Sequence, residues 1–137
     1  MALYHPDNTL PTNGEIFVFG SNEAGIHSAG DALVAKQKFG ARAGICGGYM
    51  TKGPNKHCYG IPTKDKALQT LPLDKIKQYV DEFKMAAIYN RTFTYFVPQV
   101  GCTSDDYQDW QIAPLFNGCG SNVILPEGWK PYIRSED

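Results

Sequence analysis

The chain has no run approaching the roughly 18 consecutive apolar residues that a membrane span needs, and its opening Met1-Ala2-Leu3-Tyr4-His5-Pro6-Asp7 carries neither a basic nor an apolar targeting segment. The expectation is a cytoplasmic protein, in the host cytoplasm if a phage encodes it, without membrane contact. Positive charge is not in surplus either. Thirteen Lys and Arg stand against 14 Asp and Glu, for a formal net charge of -1, and coating a long nucleic acid requires more than that. A single nucleotide is not excluded, because backbone N–H groups hold a phosphate without net basic charge. Cys46, Cys58, Cys102 and Cys119 form no C-x-x-C pair and lack the density of a disulfide scaffold, so free thiols are expected. His57 beside Cys58 has no companions at zinc spacing, so no metal site and no cofactor are expected. The Walker pattern is missing, since Ile26 rather than a lysine follows Gly25, and G-x-G-x-x-G does not fit. No Ser-His-Asp triad can be assigned, and there is no internal repeat.

What is present suits one domain over residues 1–137, with 42% apolar residues to build a core. Residues 1–13, with two prolines and the turn formers Asp7, Asn8, Thr12 and Asn13, read as an irregular lead-in. Ile16-Phe17-Val18-Phe19 between Gly14 and Gly20 reads as a strand buried on both faces. A loop with three glycines follows, then a helix over residues 31–39 closed by Gly40. Residues 41–55 read as a long loop with room for a short strand. His57-Cys58-Tyr59-Gly60-Ile61 reads as a strand stopped by Pro62. Ile76, Tyr79, Val80, Phe83 and Ala87 lie at i, i+3, i+4, i+7 and i+11, which predicts an amphipathic helix over residues 73–89. Residues 92–97 and 122–125 read as strands, and residues 109–116 as one or two helical turns despite Pro114. Strands alternating with helices predict a three-layer α/β/α sandwich on a mixed, largely parallel sheet.

In such a sheet ligands sit beyond the C-terminal strand ends. Two loops qualify. The first is Ser21-Asn22-Glu23-Ala24-Gly25-Ile26-His27-Ser28-Ala29-Gly30-Asp31, whose glycines admit a ligand and whose exit aims a helix N-terminus at it. The second is Gly101-Cys102-Thr103-Ser104-Asp105-Asp106-Tyr107, with small and hydroxyl side chains and a closing aromatic. A tight turn with no ligand would explain the first loop equally well. His27 is the natural acid or base there, or else positions the loop. Asp31 could serve as the N-cap of the helix or stand in the pocket wall. Lys64 and Asp65, after a strand end, could line the pocket or form a surface turn. Trp110 and Trp129 read as core or edge residues.

Phe19-Gly20-Ser21-Asn22-Glu23-Ala24-Gly25-Ile26-His27-Ser28-Ala29-Gly30 resembles the string F-G-S-N-x-A-G-x-H-x-A-G found in short bacterial and phage members of the macro domain superfamily. Tyr59-Gly60-Ile61-Pro62-Thr63-Lys64-Asp65, Leu71-Pro72-Leu73, Val100-Gly101-Cys102, Ile112-Ala113-Pro114-Leu115-Phe116 and Asn122-Val123-Ile124-Leu125-Pro126 are similar to further segments of that group. The resemblance implies a macro-like fold and a pocket for ADP-ribose or a related metabolite. It implies that Asn22 contacts the distal ribose, and that Ser21, Gly25, His27, Ser28, Ala29, Gly30 and Asp31 hold the ligand from the first loop. Pro62 and Thr63 would border it, with Gly101, Cys102, Thr103, Ser104 and Tyr107 wrapping the other side.

One departure stands out. Similar proteins carry G-C-G-L-A-G-Y where this chain has Gly101-Cys102-Thr103-Ser104-Asp105-Asp106-Tyr107. Carboxylates beside a diphosphate repel it unless they point away, bind a cation or act as a base. Asp105 and Asp106 therefore read either as solvated loop-tip residues or, with Asn22 and His27, as catalytic groups. The resemblance points to hydrolysis of ADP-ribose 1″-phosphate or of an ADP-ribosyl linkage. The alternatives are a non-catalytic phage-type sponge for an ADP-ribose-derived or cyclic nucleotide signal, and a structural protein with empty loops.

Overall fold

A computed structural model describes residues 3–53, 55–102 and 106–134 of the chain. In chain order its elements are strand β1 (Leu3–His5), strand β2 (Ile16–Asn22), helix α1 (Gly30–Lys38), strand β3 (Gly48–Thr51), strand β4 (His57–Lys64), helix α2 (Leu73–Tyr89), strand β5 (Tyr95–Phe96), the short helix α3 (Asp109–Ile112) and strand β6 (Val123–Pro126). A 3-10 segment over Ala113–Phe116 continues α3, and another over Glu127–Tyr132 follows β6. The sheet runs β1-β6-β5-β2-β4-β3. Its neighbours are parallel apart from the antiparallel pair β3 and β4, so this is the mixed, largely parallel sheet of an α/β/α sandwich.

The period of two in β2 sorts its side chains between two layers. Phe17 and Phe19 pack with Ala32, Ala35 and Phe39 from the α1 side, together with Met50 and Cys58. Ile16 and Val18 face the opposite layer, where α2 buries Ile76, Val80, Phe83 and Ala87 as its spacing predicts. Phe83 meets Tyr59 and Tyr95 edge to face, with centroids 5.2 and 5.4 Å away. Complete burial of such a side chain stabilises the fold by roughly 2–3 kcal/mol. Trp129 is buried in this layer, whereas Trp110 is exposed. Pro114 falls at the start of its 3-10 segment, where its missing N–H costs nothing.

Four expectations need correction. Gly20 does not end the strand begun at Ile16: β2 continues to Asn22 because Gly20 and Ser21 still pair with Ile61 and Pro62 of β4. Residues 3–5 are not irregular: β1 pairs with β6, and His5 fixes it by donating from Nε2 to the Val97 carbonyl at 2.7 Å and stacking on Phe96 at 3.8 Å. Pro62 does not stop β4, which runs on to Lys64. The pairing with β3 ends at Gly48 and Gly60, so Pro62 sits where that side of β4 has no partner strand to receive its missing donor. The strand expected over residues 92–97 contracts to Tyr95–Phe96, although Val97 still donates to Ile124 at 2.9 Å.

The four cysteines are free. Burial pushes the thiols of Cys58 and Cys102 up to about 12 and that of Cys119 up to about 11. Thiolate is the reactive form. Iodoacetamide at pH 8 is therefore expected to leave these three unlabelled in the folded protein and to label them in urea, as read by peptide mass spectrometry. Labelling of Cys58 at the same rate in both states would contradict the burial described here.

Candidate functional site

The C-terminal ends of β2 and β4 stop beside the start of α1 and the segment after β5, and the four enclose a cavity of about 410 Å³. Gly20, Ser21 and Asn22 form its floor, with Thr63 and Lys64 alongside. Ser28 to Ala32 make one wall, Gln99 to Gly101 the other, and Ile26, Leu68 and Asp106 the remainder. The register explains the floor: a shift between Ser21 and Asn22 opposite Pro62 and Lys64 lets β2 and β4 end together under the opening.

The first loop is locked from behind. Gly25 has φ +70, and a Cβ on it would stand 2.5 Å from the carbonyl carbon of Gly44. Gly44 in turn donates to the Gly25 carbonyl at 2.9 Å. Asn22 closes the turn from its other end: Nδ2 donates to the Ile26 carbonyl at 2.7 Å, and the Ile26 N–H donates to Oδ1 at 3.0 Å. Asn22 thus borders the cavity while stapling the loop. Ser21 is also in the floor, and its buried Oγ has no partner among the described residues.

His27 is not presented to the cavity. It is 3% exposed, lies edge-on to Phe19 at 5.4 Å, and donates from Nε2 to the carbonyls of Arg42 (3.0 Å) and Ile45 (3.1 Å). Those carbonyls hold the ring behind the loop, outside the cavity lining, while its buried Nδ1 has no partner among the described residues. Asp31 is not the N-cap of α1 either. Ala29 occupies that place without a side-chain cap, and Asp31 sits in the first turn and in the cavity wall, where burial raises its carboxyl above the usual range.

The second loop divides. Thr103, Ser104 and Asp105 lie outside the described residues. Gly101 is in the wall with φ +76, and a Cβ there would come within 3.2 Å of the Ile112 side chain. Cys102 turns away toward the core and the Asp109 carboxylate. Asp109 also accepts hydrogen bonds from Trp129 Nε1 at 2.9 Å and Gln99 Nε2 at 3.2 Å, and so ties this wall to the core. Tyr107 donates its hydroxyl to the Leu71 carbonyl at 2.7 Å and packs on the core, which leaves it outside the wall. Pro62 and Gly25 are buried beside the cavity without lining it, whereas Thr63 lines it and donates to the Ser21 carbonyl at 3.4 Å.

Asp106 is neither solvated nor free. Its carboxylate meets Lys64 Nζ at 3.2 Å and accepts from Thr70 Oγ1 at 2.6 Å, with the Asp106 side chain 12% exposed. Lys64 is the cation of the cavity lining among the described residues. Gln99 and Leu68 had no signal in the sequence. Leu68 stands at the opening with φ +63, held there because Asp65 Oδ1 accepts from the Ala67 and Gln69 amides, both at 2.9 Å. Among the described residues no group of three His, Cys, Asp or Glu could hold a metal ion, and no helix is long and apolar enough to cross a membrane.

The arrangement can hold an anion between Lys64 and the uncapped start of α1, and hydroxyl groups on the floor. No family model matches the chain, and no curated protein matches it. Solved structures do. The chain is similar to the macrodomain of Mycobacterium tuberculosis DarG, at 17% identity and a TM-score of 0.70, over 92% of this chain and 97% of that one. It is similar over the same shares to the macrodomain of Thermus aquaticus DarG (14% identity, TM-score 0.69) and to a macrodomain protein from Streptomyces coelicolor (13%, 0.61).

Proposed function

Starting from the macrodomain fold that the chain has, we propose that the protein binds an ADP-ribose-type metabolite in the cavity above β2 and β4 and hydrolyses a bond at its terminal ribose. The observation that carries this reading is the cavity itself. Its volume of about 410 Å³ falls in the range of roughly 300–1,000 Å³ usual for small-molecule sites, and its walls pair an uncapped helix start with one lysine. The Ser28 to Gly30 segment and Gly101 would hold the diphosphate by backbone amides, and Lys64 would neutralise its charge. Ser21, Asn22 and Thr63 would meet the ribose.

The Lys64–Asp106 pair supplies a chemical step. A phosphate arriving at Lys64 competes with Asp106 for the ammonium. The displaced carboxylate can then accept a proton from a water whose oxygen attacks the reacting centre as the bond to the leaving group breaks. One observation favours a second reading, in which the protein sequesters the metabolite unchanged: Asp106 already has two partners.

Incubation with ADP-ribose 1″-phosphate, ADP-ribosylated protein and cyclic ADP-ribose isomers, followed by heating and product analysis, separates the two. New products support hydrolysis. Unchanged ligand released on heating, with a rise in Tm before it, supports sequestration. If none of these ligands shifts Tm or is consumed, the assignment of the cavity is wrong.

A further inference from the structure

The cavity carries a carboxylate that the proposed function does not use. Asp31 lies in the first turn of α1 and in the cavity wall, half-buried, and among the described residues it has neither an ion-pair partner nor a hydrogen-bond donor. An acidic residue in a first helical turn interacts favourably with the helix dipole. A solvent-exposed position would give that benefit without desolvation, whereas here burial raises the carboxyl and opposes it. The other charged groups of the lining are Lys64, at the end of β4, and Asp106, from the segment before α3, and those two pair with each other. Among the described residues Asp31 is thus the charge of the wall that no ion pair compensates.

Resting on the reading of this cavity as an ADP-ribose-type site, we infer that Asp31 is a charge filter and specificity determinant. It accepts hydrogen bonds from ligand hydroxyls and adds a cost to every negative charge, which the diphosphate offsets through the α1 amides and Lys64 and which a further phosphate finds no second cation among the described residues to offset. The size of the cavity makes the filter effective. Any group bound in about 410 Å³ lies within the screening length of about 8–10 Å at physiological salt. A dianion added there feels the carboxylate wherever it sits, with an effect on affinity on the order of tenfold. The consequence is a choice between the two linkages considered above: the protein prefers a terminal ribose with a free or substituted hydroxyl over one carrying a 1″-phosphate.

The test is isothermal titration calorimetry of the native chain, Asp31→Asn and Asp31→Ser with two ligands, ADP-ribose and its non-hydrolysable 1″-phosphonate. Both substitutions keep a small polar side chain and give up the favourable dipole contact together with the unfavourable burial of charge, so Tm should change by no more than a few degrees. The native chain is expected to prefer ADP-ribose, and both variants to shrink that preference by about tenfold, chiefly through tighter binding of the phosphonate. A native chain that binds ADP-ribose while all three proteins keep the same ligand ratio within threefold overturns the filter and leaves the site assignment standing. A native chain that binds neither ligand overturns both.

Discussion

Gly25→Ala is expected to cost about 3 kcal/mol of stability or more and to abolish ligand binding. The new Cβ would stand 2.5 Å from the carbonyl carbon of Gly44, 2.7 Å from its Cα and 2.9 Å from the Ile45 nitrogen. All three are backbone atoms, so no side chain can swing aside, and φ +70 is itself unfavourable for alanine. Relief requires the first loop to part from the segment around Gly44. That breaks the 2.9 Å hydrogen bond between them and frees His27 from its two carbonyls. Gly44→Ala is the matched control: its φ is +86, but no atom lies within 4 Å of the added carbon, so only the conformational cost of about 1 kcal/mol remains. Urea denaturation of the two variants checks the contrast, and equal losses would show that the loop is not locked at Gly25.

Lys64→Gln is expected to weaken binding of ADP-ribose by about thirtyfold, the loss of one charge-assisted contact worth about 2 kcal/mol. The same change leaves the nearly buried Asp106 with Thr70 alone, so a drop in Tm should accompany it. Adding Asp106→Asn separates the two effects. In the double variant the Tm should recover while the affinity stays low, because the second change removes the orphaned charge and restores no cation. Recovery of affinity together with Tm would mean that Lys64 serves the fold and not the ligand.

Which parts of this could be read from the residues follows from what determines each. The stripe Ile76, Val80, Phe83 and Ala87 predicts α2 because a single buried face sets its period, and the apolar run Ile16-Phe17-Val18-Phe19 locates β2 for the same kind of local reason, while its continuation through Gly20 to Asn22 depends on pairing with β4. The limits of β4 were less legible. Whether Pro62 ends a strand depends on whether a neighbour needs its N–H there, and that is a property of where β3 stops. β1 is short and sits at an edge, and what secures it is the hydrogen bond from His5 to Val97, 92 residues away.

The candidate site divides along the same line. Its position at the strand ends was readable, as were Ser21, Asn22, Thr63 and Gly101 in its lining. The orientation of His27 was not, because the carbonyls that turn it belong to Arg42 and Ile45. Nor was the engagement of Asp106, whose partners Lys64 and Thr70 lie on a different segment. Charge and residue type identify what a loop can offer, while remote backbone decides which side chains face the cavity.

The strand order has a consequence for how the chain acquires its structure. β1 is made first, yet its one neighbour is β6, near the opposite end of the sequence. As the polypeptide leaves the ribosome, β2 and β4 can pair early, while Leu3–His5 must wait until Val123–Pro126 has docked on β5. Closing a loop of that length is among the slow steps of folding. The sheet should therefore be completed from its centre outward, with the strand made first added last.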